Sequence, residues 1–438
     1  MTRVQALKQY NVVWGSQSLN SSESMPCGGG DIGLNVWVEN GDIYFYIARS
    51  GTFDENNAMP KLGRVRITCS PNFFAGESFR QELKLVTGSI TISGRNETHS
   101  AEVQIWVDVF SPVIHVEMTS NQEISVEAVH ENWRFEDRLL QENEGFGNSY
   151  KWEAPEGLKT KKDEIGFQGN SILFCHRNTG DTVFDVTVQQ QKMDSVKSRM
   201  FDPLKDLTFG GKLLGGNFVA AGETEGVYLS SPFKGWKIRS KSPRKRQSIE
   251  IYLHTGQYEN QADWDSALES LVSEYQERKL AARSETINWW QNYWDRSFIY
   301  INPDNRNEAA PEWQVGRNYQ LFRYILGCNA YGNYPTKFSG GLFTYDPQFT
   351  DPNRPFNADF RNWGGGTFTA QNQRLVYFPS FSPERVCRVQ LQQSVRVHHQ
   401  RLPVPKTALH SNAAVRNRSH RPIQSGRQSP ATRCQTSR

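Results

Sequence analysis

Large apolar and polar residues alternate along much of the chain from about residue 10 to residue 255, which is the period of a β-strand. In LNVWVENGDIYFYI, two such runs flank Asn40-Gly41, a dipeptide typical of a tight hairpin turn because both turn positions need φ > 0. Further candidate strands are RVRITC, RQELKLVTGSITISG, EVQIWVDVFSPVIHVEMTS, SILFCHRN, VFDVTVQQ and SIEIYLHT. Many short strands with Gly, Asn and Ser breaks predict a large antiparallel β-sandwich.

The hydrophobic period changes to three and four residues between 261 and 297, which predicts one or two long amphipathic helices. Asn302-Pro303 then breaks the pattern, and a further helix is predicted over about 313–327. A Gly- and aromatic-rich stretch follows to residue 366, and residues 367–379 are a candidate for another helix. The chain therefore reads as a sandwich, a helical linker and the start of a helical domain.

Charge is distributed unevenly along the 438 residues. The net charge is +4, but residues 381–438 hold 11 Lys and Arg against one acid, which gives 11 − 1 = +10. The preceding residues hold 39 basic and 45 acidic side chains, which gives 39 − 45 = −6. The basic excess therefore belongs to the tail, and the folded part has no character of a nucleic-acid binder.

The tail differs from the preceding residues in aromatic content as well. Residues 313–379 contain 16 aromatic residues in 67 positions, whereas residues 381–438 contain only Phe381. One interpretation is a disordered basic arm that binds an anionic surface or nucleic acid. The other, favoured by the abruptness of the change, is a frame-shifted end translated without selection for folding.

Composition also excludes several classes of protein. No apolar run approaches the ~18 residues of a membrane span, which excludes an integral membrane protein. The first residues lack the apolar core of a secretory signal, so the protein is either cytoplasmic or lacks its true beginning in this sequence. Its location stays undetermined. No C-x-x-C pair or other metal-ligand spacing occurs, and no cofactor or metal is expected.

Two motifs invite functional interpretations. Gly28-Gly29-Gly30-Asp31-Ile32-Gly33 spells a dinucleotide-binding pattern, but a loop precedes it and a strand follows, so a turn is favoured. Six Lys and Arg between residues 237 and 246 could form a nuclear signal or a phosphate-binding patch. They flank Ser242-Pro243 between two candidate strands, which favours a solvated hairpin tip.

Four cysteines, Cys27, Cys69, Cys175 and Cys328, are expected to be buried free thiols.

Three stretches carry a resemblance to a known family. These are the N-terminal stretch from YNVVWGSQ to ITCSPNFF, the linker INWWQNYWDRSFIYI, and the segments YQLFRYILGCNAYGNYPTKFSGGLFT and FRNWGGGTFTAQNQRLVYFP. The first resembles domain of unknown function 5703, which leads bacterial proteins of the six-hairpin glycosidase superfamily, related to the α-L-fucosidases of glycoside hydrolase family 95. The resemblance covers about residues 10–379.

The resemblance implies a β-supersandwich over residues 1–256, a helical linker over 257–300 and the start of an (α/α)6 barrel over 301–379, followed by the tail, 380–438. The related fucosidases invert the anomeric configuration, with a Glu as general acid and a water activated by Asn residues that an Asp polarises. The T-N-x-N stretch of the family aligns with Thr369-Ala370-Gln371-Asn372. This alignment implies that Asn372 positions the water, although Ala370 takes the place of the first asparagine of the family's stretch. Trp363, Gln371 and Arg374 are implied to bind substrate.

The barrel suggested by the resemblance needs at least about 200 residues, whereas residues 313–379 supply 67. The general acid and its Asp partner would lie beyond Pro379, where the chain offers Glu384 and no Asp. Two hypotheses follow, both with carbohydrate as the partner and no membrane or nucleic acid. The chain is a glycoside hydrolase truncated to inactivity, or its sandwich is a non-catalytic carbohydrate-binding or interaction module.

Overall fold

The alternating segments form strands of an antiparallel β structure. The computed structural model describes residues 3–361, except 77, 97, 142–143, 145–148, 151–152, 298, 302–306, 335–340 and 354–356. The strands are β1 (Val12–Trp14), β2 (Met25–Gly29), β3 (Ile32–Glu39), β4 (Asp42–Arg49), β5 (Arg64–Ser70), β6 (Ser78–Lys84), β7 (Ser89–Arg95), β8 (Ser100–Val107), β9 (Val113–Asn132), β10 (Arg138–Leu139), β11 (Lys159–Thr160), β12 (Glu164–Gln168), β13 (Ser171–Arg177), β14 (Leu207–Leu214), β15 (Phe218–Tyr228), β16 (Ser231–Ser240) and β17 (Arg244–Gln257). The helices are α1 (Arg3–Lys8), α2 (Val183–Gln190), α3 (Gln261–Asp295) and α4 (Pro311–Gly327).

Fifteen of the strands form two layers that share β9, and β10 and β11 pair only with each other. One layer has the order β1-β6-β7-β8-β9-β17-β14-β13-β12, and the other has the order β2-β3-β4-β5-β9-β16-β15. Residues 113–120 of β9 pair with β8 and β17, whereas residues 125–132 pair with β5 and β16. This 20-residue strand therefore passes from one layer into the other, and every pairing is antiparallel. The predicted β-rich antiparallel fold is confirmed.

Side chains from both layers meet in one core. Phe45 and Val36 of the second layer and Ile105 and Ile251 of the first are fully buried in the same cluster. The inward residues of β3 and β4 alternate as the sequence predicts, and their hairpin turns at Asn40 (φ 52°) and Gly41 (φ 83°). Burial of these alternating faces is the main stabilising contribution, at roughly 25 cal/mol per Å² of apolar surface.

The 3.6-residue period after residue 260 gives a single helix, α3, of 35 residues. The side chain of Asn260 caps its first turn by accepting a hydrogen bond from the backbone N–H of Asp263. Trp264, Leu268 and Tyr275 are buried against the outer side of the first layer. The helix therefore extends the sandwich with a third element instead of standing apart from it. None of the described helices combines the length and apolar composition needed to cross a bilayer.

Residues 183–190, VFDVTVQQ, form helix α2, so the strand prediction for this segment is wrong. The side chain of Thr182 accepts from the N–H of Phe184 at 3.3 Å, and Asp185 accepts from the N–H of Thr182 at 2.7 Å. This capping box satisfies N–H groups that the first helical turn leaves free. The β-branched residues suggested a strand, but the T-x-x-D spacing was the stronger signal.

The structure also corrects the prediction of a hairpin tip for the basic segment around Ser242-Pro243. β16 and β17 pair with opposite halves of β9 and not with each other. The segment between them therefore crosses from one layer to the other. Its Arg244, Lys245 and Arg246 are exposed, as expected for solvated side chains.

Candidate functional site

The glycine-rich motif at residues 28–33 lies where the sandwich contacts the chain that follows α4. Gly28 and Gly29 end β2, Gly30 has φ +60°, and β3 follows, so no helix N-terminus faces the motif. A Cβ at Gly28 would lie 2.9 Å from Cβ of Cys328, and one at Gly33 would lie 2.4 Å from Cβ of Leu342. The glycines therefore serve close packing and not dinucleotide binding.

Asp31, within the same turn, holds the loop after α4. Its carboxylate accepts hydrogen bonds from the backbone N–H groups of Asn333 at 2.9 Å and Tyr334 at 3.2 Å. Burial raises the pKa of Asp31, and these hydrogen bonds oppose the rise. The buried carboxylate stabilises one conformation of residues 329–334, because these hydrogen bonds offset part of its cost of desolvation.

Charged side chains form a buried ion network that includes one residue of the segment 357–361. Its members are Glu55, Arg134, Asp163, His176 and Asp359. Arg134, directly after β9, donates through Nη2 to Asp163 at 2.6 Å and through Nη1 to Asp359. Asp163 belongs to the sandwich, whereas Asp359 belongs to the chain beyond α4. Burial by itself would raise the pKa of Asp163, but the charge of Arg134 lowers it to about 2. Arg134 therefore joins the two parts of the chain through charge-assisted hydrogen bonds.

His176 lies between the two sandwich carboxylates of this network. Its Nδ1 is 2.9 Å from Asp163 and its Nε2 is 3.1 Å from Glu55. Burial opposes the charged imidazolium, but the hydrogen bonds to both carboxylates raise the pKa of His176 to about 10. The imidazolium thus carries a positive charge at neutral pH and donates in both directions.

Two further buried groups, Lys61 and Tyr46, hold residues 345–346 and 358–359. Lys61 donates through Nζ to the carbonyl oxygens of Tyr345 and Ala358, and its backbone N–H donates to Asp359 at 2.7 Å. Burial lowers the pKa of Lys61 to about 8. The hydroxyl of Tyr46 donates to Asp346 at 2.7 Å. Strand β4 and the loop that follows it therefore fix the chain beyond α4 at several points.

The network positions backbone and does not resemble an open acid–base pair. The side chains of the four sandwich members, Glu55, Arg134, Asp163 and His176, are each 6% exposed or less. Both carboxylates among them have a protein partner. Within the described ranges, no group of three or more His, Cys, Asp or Glu has the arrangement of a metal site. The four cysteines in those ranges, Cys27, Cys69, Cys175 and Cys328, are free and buried, as predicted.

The residues that the sequence assigned to catalysis and substrate binding lie outside the described residues. They are Trp363, Gln371, Asn372 and Arg374. The candidate helix 367–379, the remainder of the barrel and the tail lie outside them as well. The predicted domain boundaries stay predictions.

Sequence reasoning missed the ion network. A usable signal was present in Asp54-Glu55-Asn56 and Lys61, which place four polar residues between two strongly apolar strands. Their partners are far away in the sequence: His176 is 121 residues from Glu55, and Asp359 is 298 residues from Lys61. Spacing alone could not bring these residues together.

The geometry defines a two-layer antiparallel β-sandwich that binds a long helix and the first helix of a following segment. The family model described as Domain of unknown function (DUF5703) matches residues 13–299, about two thirds of the chain. The chain belongs to this family. No curated protein sequence matches the chain significantly.

The comparison with solved structures found two proteins with names from carbohydrate chemistry. One is assigned as a kojibiose phosphorylase from the human microbiome, with a TM-score of 0.36, 12% identity, and coverage of 76% of this chain and 44% of that chain. The other is a bacterial glucoamylase complexed with acarbose, with a TM-score of 0.36, 10% identity, and coverage of 80% and 46%. The chain spans less than half the length of either structure.

Proposed function

We propose that this chain is a glycosidase-like protein of carbohydrate metabolism, in which the sandwich positions the first part of a helical catalytic domain. The family membership of residues 13–299 and the resemblance that continues to Pro379 support this proposal. The reaction would be hydrolysis of a glycosidic bond with inversion, as the resemblance to fucosidases implies.

The observation that carries the proposal is the attachment of Tyr345, Asp346 and residues 357–361 to the sandwich. Lys61 donates a hydrogen bond to the carbonyl of Tyr345, and Arg134 donates one to Asp359. Arg361 donates to the carbonyl of Gly341 at 2.5 Å. Trp363, the first residue proposed to bind substrate, is two positions after Arg361. A segment fixed in this way supports substrate-binding residues with little loss of entropy on binding.

In the proposed reaction, Asn372 orients the attacking water, and Trp363, Gln371 and Arg374 contact the sugar. An inverting enzyme needs room for that water, with roughly 6.5–9.5 Å between its acid and base groups. The general acid would be a Glu, and the sequence after Pro379 offers only Glu384 and no Asp. We therefore expect no turnover by the 438-residue chain.

The test uses a panel of aryl glycosides that includes an aryl α-L-fucoside. The 438-residue chain is compared with a version whose reading frame after codon 379 is changed so that helical periodicity continues. We expect hydrolysis by the second version alone, with an inverted product in the NMR spectrum. Asn372→Ala should lower kcat at least about 100-fold, as expected for loss of a water-orienting group, whereas Gln373→Ala should not.

Several outcomes would contradict parts of this proposal. Robust hydrolysis by the 438-residue chain would contradict the expected inactivity. Failure of the version with the changed reading frame to hydrolyse any member of the panel would contradict the hydrolase function. Full activity of Asn372→Ala would remove Asn372 from the site while leaving the remaining proposal intact.

A further inference from the structure

Two half-exposed aromatic side chains from distant parts of the sequence meet at one end of the sandwich. Phe110 lies in the turn between β8 and β9 and is 39% exposed, and Tyr331 follows α4 and is 43% exposed. Their ring centroids are 4.8 Å apart, with 73° between the ring planes. Single exposed aromatic residues are ordinary, but an edge-to-face pair contributed by two loops forms a defined apolar surface.

The turn that carries Phe110 is fixed by a buried carboxylate. Asp108 accepts from the N–H of Phe110 at 2.8 Å and from Nη1 of Arg278 on α3 at 3.2 Å. Thr286, also on α3, donates to the same carboxylate at 3.4 Å and accepts from the N–H of Val109 at 3.3 Å. Burial raises the pKa of Asp108, and these donors oppose the rise. The turn is thereby locked with Phe110 at its exposed tip.

Asp31 fixes the loop that carries Tyr331 by the same means. It accepts the N–H groups of Asn333 and Tyr334, and the side-chain amide of Asn329 donates to the carbonyl of Gly30 at 3.2 Å. Tyr331 thus lies between two anchored positions. Two desolvated carboxylates, each costly to bury, hold two exposed rings in contact, and burial of the rings themselves does not account for this arrangement.

Arg278 lies beside Phe110 and hydrogen-bonds to further polar groups. The guanidinium carbon of Arg278 is 5.9 Å from the Phe110 ring centroid, and Nη2 donates to Glu285 at 2.5 Å. Arg278 and Glu285 are 29% and 46% exposed, and Ser111 Oγ accepts from Arg278. A small apolar surface beside charged donors and acceptors is complementary to a pyranose, which has an apolar C–H face and a rim of hydroxyl groups. A protein partner would require a larger apolar area.

We propose that Phe110 and Tyr331 form a saccharide-binding platform, in which one sugar ring of an oligo- or polysaccharide stacks on one aromatic ring and contacts the other, while Arg278 and Glu285 hydrogen-bond its hydroxyls. The identity of the ligand rests on the proposed carbohydrate function, whereas the location of the site rests on this geometry. The platform binds sugar without any part in bond cleavage, so it suits both a hydrolase and a binding module.

Affinity electrophoresis of the 438-residue chain tests the platform, in native gels that contain xyloglucan, arabinogalactan, laminarin, mannan or fucoidan. We expect retardation by at least one polysaccharide. Phe110→Ala and Tyr331→Ala should each weaken binding about ten-fold, which is typical of the loss of one stacking contact, and the double variant should abolish retardation. Phe201→Ala, at a 51% exposed phenylalanine elsewhere, is the matched control and should bind like the wild type.

Two conservative variants separate stacking from folding. Phe110→Leu keeps an apolar side chain but loses the flat ring and should bind weakly, whereas Tyr331→Phe keeps the ring and should retain most of the affinity. The thermal midpoint of each variant checks that it is folded. Wild-type retention by the double variant, equal loss in Phe201→Ala, or no retardation of the wild type by any of the five polysaccharides would overturn the platform. Absence of hydrolysis by the version with the changed reading frame, with polysaccharide binding preserved, would contradict the hydrolase function alone.

Discussion

At the residue scale, the sandwich contains more charge in its interior than a simple core requires. Lys61, Arg134, Asp163 and His176 are all nearly inaccessible, and each is paired with a group of opposite charge or with a carbonyl. Buried pairs often contribute little net stability, because desolvation cancels most of the attraction, but losing one partner is costly. Their effect here is to define one position for the chain beyond α4.

Asp54, next to this network, differs because its acid form is favoured. Burial, and then the charge of Glu55, raises the pKa of Asp54 to about 8, against about 3.9 in an unfolded chain. The stability linked to this proton is fully present below about pH 4. It is lost as the pH rises towards 8, because the unfolded state ionises first. We therefore predict that the linked ionisation of Asp54 lowers the free energy of unfolding of the wild-type protein across this range. An uncharged residue at position 54 would remove this contribution.

The variant Asp54→Asn tests this linkage. Its Oδ1 can still accept from the N–H groups of Asn56 and Ala58, at 3.0 and 2.8 Å in the wild type. The free energy of unfolding of the variant, relative to wild type, should rise between pH 5 and pH 8 in urea titrations. Asp202→Asn, at a partly exposed aspartate that accepts from the N–H of Leu204, is the matched control for replacing one carboxylate by an amide. A constant difference for Asp54→Asn would contradict the raised pKa.

At the element scale, glycines in strands have two different meanings. Gly33 in β3 contacts Leu342, whereas Gly166 in β12 has no atom within 4 Å of the position that a Cβ would occupy. Both have negative φ, so neither is required by the backbone conformation. The first glycine permits close packing between the sandwich and the following segment, and the second does not.

We predict opposite effects of alanine at these two glycines. Gly33→Ala should destabilise the protein by about 1–3 kcal/mol, because its Cβ would overlap Leu342 and displace the segment. Gly166→Ala should be neutral or stabilise by up to about 1 kcal/mol through reduced entropy of the unfolded chain. Urea unfolding of both variants measures the difference. Equal effects of the two substitutions would show that residue 342 does not pack on Gly33.

At the scale of the whole molecule, the sandwich and the residues after α4 are joined by buried contacts. Arg134 is one of these connections, because it contacts Asp163 in the sandwich and Asp359 beyond α4. A change at Arg134 should therefore act on a segment more than 200 residues away in the sequence.

Arg134→Met should destabilise the protein by about 3–5 kcal/mol, because Asp163 and Asp359 would both lose their guanidinium partner in a buried site. Hydrogen exchange should show reduced protection of residues 357–361 before the sandwich unfolds globally. Arg80→Met removes an exposed pair with Glu82 and should cost less than about 1 kcal/mol. Unchanged protection of residues 357–361 in Arg134→Met would contradict the role assigned to Arg134.

Local patterns predicted much of the fold and little of the site. The alternation around Asn40-Gly41 predicted the β3–β4 hairpin, and the period after residue 260 predicted α3, since both depend on near neighbours. The strand predicted for residues 183–190 was wrong because propensity was weighed above the Thr182–Asp185 capping box. The β16–β17 connection was misread because β9 separates two strands that are adjacent in sequence.

The sequence by itself determined the class of secondary structure, the exposed basic residues and the resemblance that led to the family, because these are properties of short segments. Only the tertiary structure decided that Arg134 reaches Asp359, that His176 lies between Asp163 and Glu55, and that Phe110 meets Tyr331. These contacts join residues from 13 to 225 positions apart. Their formation depends on how the two layers, α3 and the chain after α4 pack, since buried charge and close approach are set by distance in space and not along the chain.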